Sequence, residues 1–337
     1  MPTSIREIAA HELTPGQFNV DVAEYCAPVI LRGLCSNWPA AVAAATSWEA
    51  LSEYLSQFDS GKVAEAFVGE PAIEGRYFYD ERMERFNFQR VHLSIAETLE
   101  RIGARAQDDT APSIYLGSLT IDDHLPGFAD QNGLSLVPAE VRPRIWLGNA
   151  SSVACHYDTF DNIACVVAGR RRFTIYPPQS VGSLYVGPID FTMAGQPVAL
   201  AVGSAIGDSR YPRFEQVRDQ ALVVELQPGD ALYLPKLWWH QVEATDPANL
   251  LVNYWWDAFR QGPDAPYITM MLAMIAIAER PREERDAWRA FFDHYVFRPQ
   301  GHPLAHLREE QRGILGPLQP RNYGRIRAFV MQMLRGG

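Results

Sequence analysis

A histidine and an aspartate two positions apart, together with a second histidine far along the chain, constrain most strongly what this sequence can fold into. Side chains at positions i and i+2 of an extended strand lie on the same face, so His156 and Asp158 point in one direction. His240 follows a Pro-Gly turn and an alternating apolar segment. Because His240 lies 240 − 156 = 84 residues after His156, only the pairing of distant strands brings the two together. Two imidazoles and one carboxylate around one point suit non-haem Fe(II) and oxygen chemistry.

A single His-x-Asp pair is by itself a weak signal, because a chain with eight histidines can contain one by chance. A lone strand histidine is more often a hydrogen-bonded core residue than a metal ligand. However, His156 is the only one of the eight that an acidic residue follows at position i+2, and apolar segments surround both histidines. We therefore predict that His156, Asp158 and His240 bind a metal ion and form the catalytic centre.

Short apolar segments separated by turn residues predict a mostly β fold. They lie at 113–119, at 144–176 as three strands broken at Gly148-Asn149 and Gly169, and at 221–226, 231–234 and 250–256. This spacing favours a jelly roll or barrel over alternating βα units. The two segments around Pro228-Gly229 are expected to pair as a hairpin. A long irregular insert from about residue 179 to 218 is expected to be functional or disordered.

Helical spacing near both ends predicts additions to this sheet core. We expect a catalytic domain over residues 1–262, with an N-terminal entry segment of helices and strands, and a helical region over 263–337. The last helix is expected to bury Phe329 and Met333. The helical region either caps the barrel or forms a homodimer interface. The apolar run that includes Met270, Met271 and Met274 favours the dimer, since two-fold pairs are the commonest oligomers.

Composition and charge limit which binding partners and which cellular compartment we expect. The net charge of −10 argues against a nucleic-acid surface and against binding to anionic membranes. The longest apolar run, residues 268–278, is too short to span a bilayer. The N-terminus lacks a signal-peptide pattern, and none of the four cysteines forms C-x-x-C, which is typical of reduced thiols. We therefore expect a cytoplasmic protein without nucleic-acid or membrane partners.

Two long segments carry a family resemblance. IWLGNASSVACHYDTFDNIACVVAGRRRFTIYPP and VVELQPGDALYLPKLWWHQVEATDPANLLVNYWW resemble the cupin-type JmjC oxygenases, and within them the asparaginyl hydroxylases and bacterial cupin-like relatives. The similarity runs from about Ala27 to Asp257. It implies a double-stranded β-helix and a dioxygenase that uses Fe(II), 2-oxoglutarate and O2 to hydroxylate a protein side chain or a small molecule through a ferryl intermediate. It also implies a homodimer through the C-terminal helices.

The resemblance further implies how the far carboxylate of 2-oxoglutarate is held. Arg171 falls where the similar hydroxylases place a lysine for this purpose, and an arginine can do the same through a bidentate fork. Three consecutive arginines are otherwise typical of a solvated strand edge. Strand alternation places Arg170 and Arg172 on the face opposite Arg171, so we expect these two arginines to be the solvated ones.

Other cosubstrate residues follow from the same resemblance. Tyr115 matches a strand tyrosine that helps to hold the carboxylate, and Asn162 and Asn253 match asparagines that line the pocket. Each could equally be an ordinary polar residue of a barrel. The family has a threonine three residues before the first ligand, where this chain has Val153. The contact made there is missing or is supplied by Ser152.

The sequence leaves the substrate and one alternative function open. A protein side chain, a small molecule and, less favoured, a methylated lysine all suit the same chemistry. Seven residues lie in segments that could border the mouth of the fold or be ordinary surface: Tyr77, Tyr79, Phe86, Phe88, Asp122, Asp123 and His124. The alternative function is a metal-binding cupin that binds a ligand without turning over 2-oxoglutarate.

Overall fold

The chain divides into two units, residues 1–258 and 259–337, and β-strands dominate the first. The computed structural model describes residues 4–108, 110–259, 264–317 and 319–335. In chain order the strands are β1 (Arg6–Ala9), β2 (Val29–Arg32), β3 (Ala64–Gly69), β4 (Arg76–Tyr77), β5 (Gln89–Leu93), β6 (Ser113–Thr120), β7 (Pro143–Gly148), β8 (Ser151–His156), β9 (Asp161–Ala168), β10 (Arg171–Tyr176), β11 (Leu222–Leu226), β12 (Ala231–Leu234), β13 (Trp239–Ala244) and β14 (Asn249–Trp256).

Helices precede, interrupt and follow these strands. They are α1 (Pro15–Asp21), α2 (Pro39–Thr46), α3 (Trp48–Ser56), α4 (Ile95–Gln107), α5 (Ile121–His124), α6 (Phe128–Gln131), α7 (Pro266–Ile277), α8 (Arg282–Phe292), which a π-helical turn continues over Asp293–Phe297, and α9 (Pro320–Arg335). Local chemistry explains where α4 begins. The Ser94 side chain accepts a hydrogen bond from the backbone N–H of Glu97, whose carboxylate accepts one from the N–H of Ser94.

The strands form two sheets that share a core. The larger has the order β1-β2-β12-β9-β14-β7-β6-β3-β5, and the smaller has the order β11-β10-β13-β8-β4. From β7 to β14 the chain passes from one sheet to the other at every connection except that from β10 to β11. Ala164 and Val166 of the larger sheet pack against Phe173 and Ile175 of the smaller. This arrangement is a double-stranded β-helix, so the predicted jelly-roll core with helical additions is confirmed.

The predicted hairpin around Pro228-Gly229 is wrong. β11 pairs with β10, whereas β12 pairs with β2 and β9, so the turn carries the chain between the sheets. Asp230 in this turn accepts a hydrogen bond from the backbone N–H of Gly33 at 3.1 Å and pairs with Arg32 at 2.6 Å. Turn residues specify that the chain reverses, but they do not specify which strand it then joins.

The structure also defines two further segments. Residues 144–176 contain four strands rather than three, because a loop after His156 separates β8 from β9 without a glycine or proline. The irregular insert between β10 and β11 is folded onto the smaller sheet. Its residues Leu184, Ala199 and Phe214 share a buried cluster with Trp239.

The second unit leaves its apolar residues exposed. Ile275 of α7 is 83% exposed, and Phe329 and Met333 of α9 are 63% and 62% exposed. The expected burial of Phe329 and Met333 is therefore wrong within this chain. The predicted domain boundary at 262/263 lies outside the described residues. Across the described ranges, no helix has the length and apolarity needed to cross a bilayer.

We expect Gly169→Ala to lower the free energy of unfolding by about 1–3 kcal/mol, because Gly169 joins β9 to β10 with a φ of +69° and an added Cβ would lie 2.8 Å from the carbonyl oxygen of Ala248. Gly182→Ala is the matched control, since an added Cβ there meets no atom within 4 Å. Urea unfolding of both variants measures the difference. Equal stability of the two variants would contradict the expectation.

Candidate functional site

Strand pairing brings the two distant histidines together. β8 and β13 are antiparallel neighbours, and His156 lies directly opposite His240. Their ring centroids are 4.3 Å apart. The Oδ2 atom of Asp158, just beyond the end of β8, lies 3.8 Å from Nε2 of His240. One donor atom from each of the three side chains lies within 4.8 Å of the other two.

Backbone carbonyls fix the tautomer of both histidines. Nδ1 of His156 lies 2.8 Å from the carbonyl oxygen of Ala154, and Nδ1 of His240 lies 2.9 Å from that of Trp238. A carbonyl oxygen can only accept, so each Nδ1 carries the proton and each Nε2 keeps its lone pair. Metal-binding histidines are commonly oriented by a hydrogen bond of this kind.

Burial controls the charges of the triad. It lowers the pKa of His240 to about 3, an effect that nearby His156 reinforces and the hydrogen bond to Trp238 opposes. Burial also raises the pKa of Asp158, which the charge of His156 opposes. His240 is therefore neutral, as a metal ligand has to be. Two imidazoles and a desolvated carboxylate fit a divalent first-row metal such as Fe(II).

A cavity between the two sheets joins the triad to the predicted cosubstrate residues. Tyr115, Asn162, Arg171 and Asn253 line it, together with His156, Asp158 and His240. They come from β6, β9, β10 and β14, so both sheets contribute. The structure thus brings these residues to one site, although their roles in binding 2-oxoglutarate stay predictions.

Arg171 is a buried cation that forms no ion pair with any residue in the described part of the chain. The residue is 4% exposed, and its Nε atom has no hydrogen-bond partner among the described residues. Burial lowers the pKa of Arg171 to about 10, which Tyr115 opposes. Arg170 and Arg172 lie on the outer face, where they pair with acidic residues of neighbouring strands and loops. Since a buried unpaired charge is costly, the environment of Arg171 favours binding of an anion.

The other polar residues of the cavity differ in what they can offer a ligand. Burial raises the pKa of Tyr115, although Arg171 opposes the shift, so its hydroxyl is a protonated donor. Asn253 accepts a hydrogen bond through Oδ1 from Nε1 of Trp146 at 2.8 Å. The Oδ1 atom of Asn162 is buried and has no partner in the described part of the chain.

Comparison with known proteins identifies the family. Residues 15–262 match the family model of the cupin-like domain. The chain belongs to the cupin-like family. Similar proteins include the lysine-specific demethylase JMJ31 of Arabidopsis thaliana, 31% identical over 45% of this chain and 26% of the relative. Human HSPB1-associated protein 1 is 28% identical over 48% of this chain and 32% of its own length.

This cupin-like protein matches a larger share of a third relative. Jumonji C domain-containing protein 5 of Drosophila melanogaster is 25% identical over 72% of this chain and 57% of the relative. The chain thus spans between about a quarter and just over half of the length of these three relatives. The resemblance to cupin-type JmjC proteins is confirmed.

The suggestion that Ser152 replaces the family's threonine is wrong. Between the partners of His240 and Val242, β8 contains one residue more than β13. This β-bulge shifts the alternation, so Val153 lines the cavity of the cupin-like fold together with His156. Ser152 lies on the other face, where its hydroxyl accepts a hydrogen bond from Nε2 of Gln241 at 3.3 Å.

Part of the cavity wall comes from the insert, where no site residue was predicted. Met193, Gln196 and Val198 line the cavity, and Val198 forms a β-bridge with His156. The Oε1 atom of Gln196 is buried without a partner among the described residues. Arg90 donates a hydrogen bond to the carbonyl oxygen of Met193 at 2.7 Å and so attaches the insert to the larger sheet. An irregular segment has no sequence period that could have indicated this wall.

Of the residues expected at the mouth, Tyr77 lines the cavity. Tyr79, Phe86 and Phe88 pack in an aromatic cluster beside it. The segment from Asp122 to His124 belongs to α5 and does not line the cavity, and Asp122 pairs with Arg142. These acidic residues and His124 are therefore not at the mouth of the cavity.

The pKa of His240 predicts how the metal-free protein responds to acid. Between about pH 6.5 and pH 3 the unfolded chain binds a proton at this residue that the folded protein does not. Stability should therefore fall as the pH decreases. From pH 7 to pH 5, the wild type should lose about 2 kcal/mol more than His240→Gln in urea unfolding with a chelator present.

The control for this measurement is His92→Gln, since His92 is an exposed residue of β5. It should keep the pH dependence of the wild type. If His240→Gln also kept that dependence, His240 would not be the group that takes up the proton on unfolding.

Proposed function

We propose that this cupin-like protein is an Fe(II)- and 2-oxoglutarate-dependent dioxygenase that hydroxylates a C–H bond of its substrate. The observation that carries the proposal is a single cavity with two unlike sites. One is the triad of His156, Asp158 and His240, and the other is the buried Arg171, whose Nε has no partner among the described residues. A dicarboxylate with a keto group at one end matches this pair, since its keto acid end can bind a metal and its far carboxylate can pair with an arginine.

Three side chains of the chain would hold the metal. His156 and His240 would each donate the lone pair of Nε2, and Asp158 a carboxylate oxygen, which leaves positions open for small ligands. Iron bound there would couple the decarboxylation of 2-oxoglutarate to the activation of oxygen, with succinate as a product. The hydrogen bonds from Nδ1 to the carbonyls of Ala154 and Trp238 keep both imidazoles oriented during turnover.

The remaining polar groups would orient the cosubstrate. Arg171 binds the far carboxylate through its fork of N–H groups, and the hydroxyl of Tyr115 donates a hydrogen bond to the same carboxylate. Asn162 and Asn253 line the same cavity and would contact the cosubstrate there. Val153 offers an apolar contact where the resembling enzymes have a threonine, so the hydrogen bond made there is absent in this chain.

The walls of the cavity indicate what kind of substrate it accepts. Tyr77, Trp146 and Trp255 supply aromatic surface. The Oε1 atom of Gln196 is buried without a partner among the described residues, so it can accept a hydrogen bond from an N–H or O–H group of the substrate. We therefore infer a substrate that carries a hydrogen-bond donor, either an N–H or an O–H group. A protein side chain and a small molecule both satisfy this requirement.

Removal of an N-methyl group is the second candidate. One of the relatives is named a lysine-specific demethylase. Aromatic rings such as those of Tyr77, Trp146 and Trp255 bind methylated ammonium groups through cation–π interactions. Hydroxylation of an N-methyl carbon gives a carbinolamine, which releases formaldehyde and leaves the amine. Formaldehyde release therefore distinguishes demethylation from stable hydroxylation.

The test is turnover of 2-oxoglutarate by the iron-loaded protein in the presence of a cell extract. We expect succinate that depends on Fe(II), together with a species in the extract that gains one oxygen or loses a methyl group, both seen by mass spectrometry. Asp158→Ala should abolish both. Arg171→Gln should raise the KM for 2-oxoglutarate about 10- to 100-fold, because a charge-assisted hydrogen bond is lost.

Arg172→Gln is the matched control for Arg171→Gln, since Arg172 lies on the outer face of the same strand. Its KM should equal that of the wild type. A wild type that retains iron yet forms no succinate would contradict the dioxygenase proposal. That outcome would favour the metal-binding cupin without 2-oxoglutarate turnover.

We also propose that the second unit forms a homodimer interface. The sequence of α7 is PYITMMLAMIAI, and none of its residues is buried within the chain. A helix that is apolar on all sides is stable only when it is covered. A second copy of this chain presents the same apolar helices, so two copies can cover each other around a two-fold axis.

We expect Ile275→Glu to convert a dimer into monomers in light scattering coupled to size exclusion, since it buries a charge in the interface. The matched control is Glu283→Gln on α8, which should stay dimeric because its change introduces no charge. A wild-type protein that is monomeric at micromolar concentration would show that the helices do not pair in this way.

A further inference from the structure

A buried carboxylate, that of Asp161, belongs to the first residue of β9, close in the chain to the proposed ligand Asp158. Asp161 is 1% exposed and accepts four hydrogen bonds or ion pairs. Its Oδ1 accepts from the hydroxyl of Tyr233 at 3.2 Å and from the backbone N–H of Lys236 at 3.4 Å. Its Oδ2 accepts from the backbone N–H of Ala258 at 3.0 Å and lies 3.2 Å from Nζ of Lys236.

Lys236 completes this group of charges. Its ammonium also forms a close ion pair with Asp257, which follows β14. Burial lowers the pKa of Lys236, but its hydrogen bonds to Asp257 and Asp161 outweigh this effect and raise the pKa above its usual value. We call Asp161, Tyr233, Lys236 and Asp257 the Asp161 cluster. A buried ion pair of this kind contributes little net stability compared with apolar packing, so stability alone does not account for it.

The Asp161 cluster connects the two chain segments that carry metal ligands. Asp161 lies three residues after Asp158, and Lys236 lies four residues before His240. Between these segments, the backbone N–H of Leu237 donates a hydrogen bond to the carbonyl oxygen of Asp158 at 2.8 Å. The loop with Asp158 and the turn before His240 are therefore held together twice, through the backbone and through the cluster.

The turn before His240 is strained. Leu237 has a φ of +68°, a conformation that costs a residue other than glycine about 1 kcal/mol or more. Its side chain is 47% exposed, so packing of the leucine offsets little of this cost. The bonds of Lys236 to Asp161 hold the residue before it, and in this conformation the N–H of Leu237 reaches the carbonyl oxygen of Asp158.

We propose that the Asp161 cluster is a positioning device that sets the separation of Asp158 and His240 for metal binding. The inference rests on the proposed metal site and adds residues that touch neither metal nor cosubstrate. Asp161 and Lys236 act through the backbone of the two ligand segments. Neither side chain is among the cavity-lining residues.

The test measures metal affinity in the full-length protein. We expect Asp161→Asn, which keeps the shape of the side chain and removes its charge, to weaken Co(II) and Fe(II) binding about 10- to 100-fold in competition with a chelator. The absorption bands of the Co(II) form should also change, because the ligand geometry changes. Asp246→Asn is the matched control. It breaks an ion pair with Arg170 at the other end of β13, remote from both ligand segments.

Lys236 provides an independent pair of variants if Asp161→Asn does not fold. Its side chain is 25% exposed, so the charge can be removed with less disturbance. Lys236→Met should weaken metal binding about 10-fold or more, and Lys236→Arg should restore it.

Each remaining outcome decides against one proposal or both. If Asp161→Asn and Lys236→Met bind metal within twofold of the wild type, the Asp161 cluster does not position the ligands, and the proposed dioxygenase is unaffected. If Asp246→Asn weakens binding equally, the loss reflects general destabilisation and the inference fails. A wild-type protein that binds neither metal overturns the proposed function together with the inference.

Discussion

The antiparallel pairing of β8 with β13 is the constraint on which the site depends. Both histidines of the triad lie on these strands, directly opposite each other. Side chains alternate along a strand, so a shift of one residue would turn His240 out of the cavity. The buried apolar residues around the strands oppose such a shift, since it would also expose part of the core. The same apolar burial that stabilises the sheet therefore holds the site in register.

Charged side chains are paired differently inside the cavity and in the Asp161 cluster. In the Asp161 cluster, Lys236 forms ion pairs with both Asp161 and Asp257, so every charge is paired within the protein. Inside the cavity, Asp158 is partly buried and Arg171 is buried, and the Nε of Arg171 has no partner among the described residues. A metal ion at one site and a carboxylate at the other would offset both desolvation costs. This pair of environments supports the proposed binding of a metal ion and a carboxylate.

Much of the local structure could be predicted because its causes lie within a few residues. The capping box at Ser94 determines where α4 begins, and the His-x-Asp spacing places both side chains at one end of β8. The family pattern located Arg171, Tyr115, Asn162 and Asn253, and the structure places all four on one cavity. Predictions failed where the cause was remote. The strands on either side of Pro228-Gly229 join different sheets because their partners, β10 and β9, lie elsewhere in the chain.

The sequence alone determined which side chains are available for the chemistry and which short segments extend, turn or coil. Only the tertiary structure decided how these segments lie relative to one another. The bulge in β8 turns Val153 rather than Ser152 into the cavity, and the insert supplies part of the cavity wall through Gln196. The strained turn at Leu237 reaches Asp158. The physical reason is that local preferences depend on neighbouring residues, whereas strand register and loop packing depend on free energy gained between residues far apart in the chain. No pattern in one segment contains that information.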